Sequence, residues 1–173
     1  MHVIQYIAVK ADDVKHAHRS VKSYLEDQMG VGDNHNTWYD WFVTGGGRWA
    51  TTEDQYDDNW TGDVRHQTDP EFEEYLDTAH KYRQQELSTY EAEARKINLT
   101  EILDSLQDFE FDHFKAGMEL YPIKKLYDMC MGVWDYQSYF FDIENDSTNR
   151  KYMREAIDKG DNDWYLVPVD FHF

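Results

Sequence analysis

Residues 2–30, HVIQYIAVKADDVKHAHRSVKSYLEDQMG, predict a β-strand followed directly by an amphipathic helix. The first part is apolar on both alternating faces, with Val3, Ile7 and Val9 on one and Ile4, Tyr6 and Ala8 on the other. Such a pattern is typical of a central strand that is covered on both sides. Apolar residues then recur at helical spacing, at Val14, Ala17, Val21, Leu25 and Met29. A strand joined to such a helix indicates an α/β or α+β layer.

Further along the chain, the same two kinds of pattern alternate. Strand character returns in residues 37–43, 133–143 and 163–173. Helical patterns mark a long helix from Pro70 that Asp69 caps, a continuation from Asn98 toward Met118, and shorter helices at residues 122–131 and 147–160.

This order of elements predicts an α+β fold in a single domain, residues 1–173. We expect a ferredoxin-like antiparallel sheet with a helical insertion after the second strand, at about residues 69–131. Pro168 predicts that the last strand lies at a sheet edge, because proline has no N–H to donate to a neighbouring strand.

The charge balance narrows the classes of partner. The 173 residues include 17 Lys and Arg against 35 Asp and Glu, which gives a formal net charge of −18. This field repels phosphate backbones and anionic membrane surfaces, so neither direct nucleic-acid binding nor membrane binding is expected. Basic protein surfaces, small ligands in a locally cationic pocket and a homo-oligomer are compatible with it.

Cysteine content and apolar runs indicate the compartment. Cys130 is the only cysteine, so no disulfide and no thiol-based zinc site forms within one chain. The first residues show no basic leader, and no run of about 18 apolar residues occurs. The histidines lack zinc-site spacing. We therefore expect a cytoplasmic protein, and the sequence predicts neither a cofactor nor a metal.

Residues 37–52, TWYDWFVTGGGRWATT, carry a binding signal. Consecutive glycines expose backbone N–H groups that can hold an anion, and an adjacent arginine supplies a planar fork of donors for phosphate or carboxylate. Tryptophan side chains can stack on a flat base. A small anionic, nucleotide-like ligand is therefore predicted to bind Trp38, Trp41, Gly45, Gly46, Gly47, Arg48 and Trp49.

A purely structural alternative for this stretch stays open. The glycines would form a bulge, the tryptophans would fill a core that is poor in leucine, and Arg48 would pair with one of the many carboxylates.

A second signal lies near the end of the last strand. Asp170 and His172 are two residues apart, so their side chains share one strand face and can act as an acid–base pair. Together with Asp40, they are the candidate catalytic residues if the protein is an enzyme. The alternative is a solvated strand end without chemistry.

An acidic run between residues 53 and 77 is interrupted by one basic residue, Arg65. Its members are Glu53, Asp54, Asp57, Asp58, Asp63, Asp69, Glu71, Glu73, Glu74 and Asp77. Such a run can imitate a phosphate backbone and block a basic groove on another protein, or it can simply be a solvated face.

A Trp-x-Asp-Trp-aromatic stretch that runs into Gly-Gly-Arg-Trp, together with a closing Asp-x-His strand, resembles a group of bacteriophage accessory proteins. The matching residues are Trp38, Asp40, Trp41, Phe42, Gly46, Gly47, Arg48, Trp49, Asp170 and His172. The resemblance does not extend to residues 53–125. It implies a phage protein in the host cytoplasm that counters host defence, by sequestering a nucleotide-derived immune signal or by occupying a defence protein.

Three hypotheses follow from the sequence. The leading one is a non-enzymatic protein that binds a nucleotide-like anion and keeps it intact. The second is a nucleotide-hydrolysing enzyme that uses Asp40, Asp170 and His172. The third is an acidic inhibitor of a host protein.

Overall fold

The computed structural model describes residues 1–29, 37–44, 48, 50–57, 59–105 and 112–173. The chain divides into two compact units, residues 1–83 with 134–173 and residues 84–133. The first unit contains the sheet, and the second is helical and overlaps the predicted insertion at residues 69–131. That all of this forms a single domain stays a prediction.

The described strands form one mixed sheet. They are β1 (His2–Lys10), β2 (Trp41–Thr44), β3 (Arg65–His66), β4 (Phe140–Asp142) and β5 (Trp164–His172). Their order is β2-β5-β1-β4, and β3 also pairs with β5. β1 is antiparallel to β5 and parallel to β4. The predicted mixture of helices and strands is confirmed, and so is the central position of β1.

Helices cover both faces of this sheet. The described helices are α1 (Val14–Met29), α2 (Pro70–Ala94), α3 (Leu99–Ser105), α4 (His113–Met131) and α5 (Lys151–Asp158). On one face, Val21 of α1 is buried in a cluster with Ile7 of β1. On the other, Phe72 of α2 and Met153 of α5 are buried in a cluster with Ala8. The two apolar faces of β1 are thus each covered by helix.

The ferredoxin-like arrangement is not confirmed. In an α+β fold of that kind the helices lie on one face of an antiparallel sheet. Here α1 and α5 contribute to clusters on opposite faces, β1 and β4 are parallel, and β2 pairs with β5. Because β1 is apolar on both faces, a single layer of helices would leave one of them exposed.

β5 lies inside the sheet, so the predicted edge position is wrong. Pro168 pairs with Tyr6 of β1. The N–H of Tyr6 donates to Tyr139 O at 3.0 Å on the β4 side, so the nitrogen of Pro168 faces away from β1. On that far side, β2 pairs with β5 from Val169 onward and β3 pairs with it only up to Leu166. Proline is tolerated here because neither described neighbour needs its missing N–H.

Local order is present within residues 50–68, a polar and acidic stretch. They include a 3-10 helix, Glu53–Tyr56, and strand β3. Asp63 accepts hydrogen bonds from Trp60 Nε1 and from Gln55 Nε2, both at 2.9 Å. A Cβ atom at Gly62 would lie 2.1 Å from the Trp60 ring, so only glycine lets the ring fold back over this turn.

The second unit shows where capping residues decide the helix boundaries. Asn98 Oδ1 accepts a hydrogen bond from Glu101 N at 3.3 Å and caps α3. Asp112 Oδ1 accepts one from Lys115 N at 2.9 Å and caps α4. α4 then continues through Pro122, so the predicted separate helix that begins at Pro122 is wrong. The φ of proline suits a helix, and the cap at Asp112 sets the start.

No helix among the described residues is long and apolar enough to cross a membrane.

Candidate functional site

Strand pairing aligns three ring side chains across β1, β5 and β2. His172 of β5 pairs with His2 of β1 on one side and with Trp41 of β2 on the other. Directly paired residues project on the same face of a sheet. Asp170 follows in the next row of that face, because side chains alternate along a strand. The shared face of Asp170 and His172 is therefore confirmed.

The three rings contact one another and form what we call the imidazole–indole row: His2, Trp41 and His172. The Trp41 and His172 rings are stacked, with centroids 5.0 Å apart and planes inclined by 9°. The His2 ring stands edge-on to both, with its centroid 5.1 Å from that of His172 and 5.3 Å from that of Trp41. The row is therefore a packed aromatic surface that carries two titratable groups.

The imidazole–indole row is partly open to solvent. Trp41 is 41% exposed, and the side chains of His2 and His172 are 21% and 33% exposed. Farther along the same face, Ala8 and Leu166 are completely buried in the cluster that α2 and α5 contribute to. The row thus occupies the part of this face that those helices leave accessible.

Each imidazole of the row faces a carboxylate through its Nδ1 atom. His2 Nδ1 lies 3.1 Å from Asp170 Oδ1 and 3.3 Å from Asp170 Oδ2. His172 Nδ1 lies 3.4 Å from Asp40 Oδ2, within ion-pair distance but without hydrogen-bond geometry. Asp40 is held beside β5 because its N–H donates to His172 O at 2.8 Å. A carboxylate at Nδ1 favours the tautomer in which Nε2 exchanges the proton.

Asp170 also anchors the backbone of Arg48. Its side chain is completely buried, and its Oδ2 accepts a hydrogen bond from Arg48 N at 2.7 Å. A buried carboxylate needs such donors, since an unpaired charge away from water is costly. The Arg48 backbone therefore lies beside His2. Within the described part of the chain its guanidinium forms no ion pair, so the predicted alternative of a carboxylate partner gains no support there.

The remaining ligand-binding predictions divide into two groups. Trp38 packs in the core on the α1 side, where its ring contacts Tyr39, Trp134 and Phe171. It therefore serves the core and does not join the imidazole–indole row. Gly45, Gly46, Gly47 and Trp49 lie outside the described residues.

Several carboxylates of the acidic run have structural partners. Asp69 Oδ2 accepts a hydrogen bond from His66 N at 2.7 Å, and Glu73 pairs with Arg154. Asp57 accepts from Asn59, and Asp63 accepts from Trp60 and Gln55. These contacts tie part of the run to its own fold; that the run imitates a phosphate backbone stays a prediction.

The helical unit contains a cavity of about 280 Å³. Its lining includes Lys96, Glu101 and Glu119. Two carboxylates against one ammonium group disfavour an anionic ligand, so this cavity is a weaker candidate than the row. Among the described residues, no group of three or more His, Cys, Asp or Glu side chains is placed to hold a metal ion.

His2 is the residue of this site that the sequence did not indicate. It lies at the start of a strand whose apolar pattern gave it no role, and 168 positions separate it from Asp170. Only the register between β1 and β5 brings the two together, and no local pattern encodes that register.

Comparison of the chain with protein-family models, with curated proteins and with solved structures finds no match. The resemblance to bacteriophage accessory proteins stays a prediction that rests on the motif residues alone.

Proposed function

We propose that the protein binds a small anionic, nucleotide-like ligand over the imidazole–indole row. The observation that carries this proposal is the packing of the partly exposed indole of Trp41 against two imidazoles, next to the Arg48 backbone. A flat base can stack on such an aromatic surface. Phosphate oxygens can accept hydrogen bonds from the protonated imidazoles and from a guanidinium group.

The charge distribution supports a small ligand over a polymer. A net charge of −18 repels an extended phosphate backbone along its whole length. A mononucleotide or dinucleotide brings only a few charges, and these can be matched locally by His2, His172 and Arg48. The row thus offers local hydrogen-bond donors to such a ligand, and each of its imidazoles also faces a carboxylate.

The biological role that we propose follows from the resemblance to bacteriophage accessory proteins. A phage protein that holds a nucleotide-derived signal in the host cytoplasm would lower the concentration that reaches the host's defence proteins. Its effectiveness then depends on affinity and on the amount of protein, because one bound ligand occupies one site.

Isothermal titration calorimetry tests the binding. The probes are a cyclic dinucleotide, ADP-ribose, AMP and inorganic phosphate, against the wild type, Arg48→Ala and Trp41→Leu. We expect at least one nucleotide probe to bind, and each variant to weaken its affinity by about tenfold or more, since stacking on one base is worth about 1–3 kcal/mol.

The matched control is Arg95→Ala, directly after the end of α2, an exposed arginine that pairs with Glu91 at 2.6 Å. It should leave the affinity unchanged. If no probe binds, or if Arg48→Ala and Trp41→Leu bind as tightly as Arg95→Ala, the proposed function is wrong. Circular dichroism of each variant separates lost binding from lost folding.

A further inference from the structure

We propose that the imidazole–indole row also hydrolyses a phosphoester bond of the ligand by acid–base catalysis, with His2 and His172 as the two catalytic residues. This inference rests on the proposed function, because the ligand must first bind over the row. It goes beyond binding and takes the place of stoichiometric sequestration, since the ligand would be destroyed and one protein molecule would act on many ligands.

The geometry that points to catalysis is the pairing of each imidazole with its own carboxylate. Asp170 faces His2 Nδ1 at 3.1 Å, and Asp40 faces His172 Nδ1 at 3.4 Å. If the row served only to attract an anion, these carboxylates would work against it by cancelling the local positive charge. A carboxylate hydrogen-bonded to Nδ1, as Asp170 is to His2, is in contrast what holds an imidazole in the tautomer and orientation needed for proton transfer. Asp40 lies within ion-pair distance of His172 Nδ1 without a hydrogen bond, so it attracts the protonated ring but does not fix it.

The spacing of the two imidazoles fits one reacting group. Their ring centroids are 5.1 Å apart, with planes inclined by 72°. A general acid or base must come within hydrogen-bond reach of the proton that it transfers. Two imidazoles this close can both reach oxygens on a single phosphorus, one of them the attacking water and the other the leaving group.

The proton transfers balance without a further reactant. Neutral His172, the more exposed of the two imidazoles, takes a proton from water while the water oxygen forms a bond to phosphorus. The bond between phosphorus and the leaving oxygen breaks, and protonated His2 gives its proton to that oxygen. The products are a phosphate group and an alcohol. His172 then releases its proton to solvent and His2 takes one up, which restores both groups.

Asp170 acts in this scheme as a positioning residue, and Asp40 is a nearby charge that favours the protonated form of His172. Asp170 is completely buried, so it holds His2 without approaching the ligand. Through the Arg48 N–H it also fixes the backbone that carries the guanidinium. Asp170→Asn should therefore lower the hydrolysis rate more than it lowers affinity, because an amide no longer stabilises the protonated His2.

The experiment measures binding and hydrolysis on the same samples. A cyclic dinucleotide and bis(4-nitrophenyl) phosphate are incubated with the wild type, His2→Asn and His172→Asn, and the products are followed by mass spectrometry and by release of nitrophenolate. Calorimetry gives the affinity for the cyclic dinucleotide. We expect the wild type to hydrolyse it. Each variant should react at least about 100-fold more slowly, while its affinity should fall by about tenfold at most, because Trp41 and Arg48 remain to bind the ligand.

His16→Asn provides a matched control. His16 Nδ1 lies 3.4 Å from Asp12 Oδ2 on the surface near α1, the same distance as in the His172–Asp40 pair. The described structure places it in no ring contact with a second imidazole or with an indole. This variant should bind and hydrolyse like the wild type.

The outcomes separate the two proposals. If the wild type binds the cyclic dinucleotide and returns it intact, hydrolysis is wrong and the proposed binding function stands. If neither probe reacts and no probe of the calorimetric panel binds, both are wrong. If hydrolysis occurs at equal rates in the wild type, His2→Asn and His172→Asn, the assignment to these imidazoles is wrong.

Discussion

Gly62 shows how a single residue fixes the order of the segment at residues 50–68. A Cβ atom there would lie 2.1 Å from the Trp60 ring, which itself donates to Asp63. Gly62→Ala should therefore displace the ring, break that hydrogen bond and destabilise the protein by about 1–3 kcal/mol. Chemical denaturation followed by fluorescence measures the change.

Gly117→Ala is the control for that substitution. Gly117 lies within α4, and a Cβ atom there would meet no atom within 4 Å. Alanine favours a helix over glycine by up to about 1 kcal/mol, so this variant should be neutral or more stable. Equal destabilisation by both substitutions would contradict the role assigned to the Trp60 turn.

At the scale of elements, the pair between Glu73 of α2 and Arg154 of α5 joins two helices on one face of the sheet. The Arg154 guanidinium holds the pKa of Glu73 below its usual 4.5. The Glu73–Arg154 pair therefore stabilises the folded state fully above pH 4.5. This stabilisation is lost as the pH falls through the lowered pKa that Glu73 has in the folded protein. Glu73→Gln should be less stable than the wild type near pH 7, by less than about 1 kcal/mol because both side chains are partly exposed. This difference should disappear in acid.

Urea unfolding at several pH values measures this effect, with Glu74→Gln as the control. Glu74 is the next residue of α2, and within the described chain it forms no ion pair. Its substitution should change stability little at any pH. A Glu73→Gln deficit that persists unchanged in strong acid would show that the loss is one of packing and not of charge.

Local patterns predicted the elements of this fold well, and long-range pairing is what they missed. The alternation in residues 2–9 and the helical spacing after Val14 are properties of contiguous residues, so β1 and α1 follow from them. The edge position predicted from Pro168 was wrong because β2 and β3 pair with β5 on either side of this residue. Neither strand needs the N–H that proline lacks, and this depends on long-range pairing. The candidate site divides in the same way: the spacing of Asp170 and His172 predicted a shared face, whereas the contribution of His2 depends on the β1–β5 register.

At the scale of the whole molecule, the net charge of −18 should make stability depend on salt. Like charges repel within the folded chain, and salt shortens the range of this repulsion from about 30 Å at 0.01 M to about 8 Å at 0.15 M. The melting temperature should therefore rise between these two concentrations of NaCl, as differential scanning calorimetry would show.

KCl in place of NaCl distinguishes screening from specific binding. Screening depends on ionic strength alone, so both salts should raise the melting temperature equally. A rise with only one of them would indicate a cation site, and a fall with both would mean that attractive ion pairs outweigh the repulsion.

The pairing of β1 with β5 also sets the order of events in folding. The contact between His2 and Asp170 closes a loop of 168 positions, and closure over such a separation slows folding more than local contacts do. During synthesis, α1 can form early, but β1 has no antiparallel partner until β5 has left the ribosome. The imidazole–indole row is therefore assembled in one of the last steps. A nascent chain that stops before β5 leaves one edge of β1 open to aggregation and lacks the binding surface.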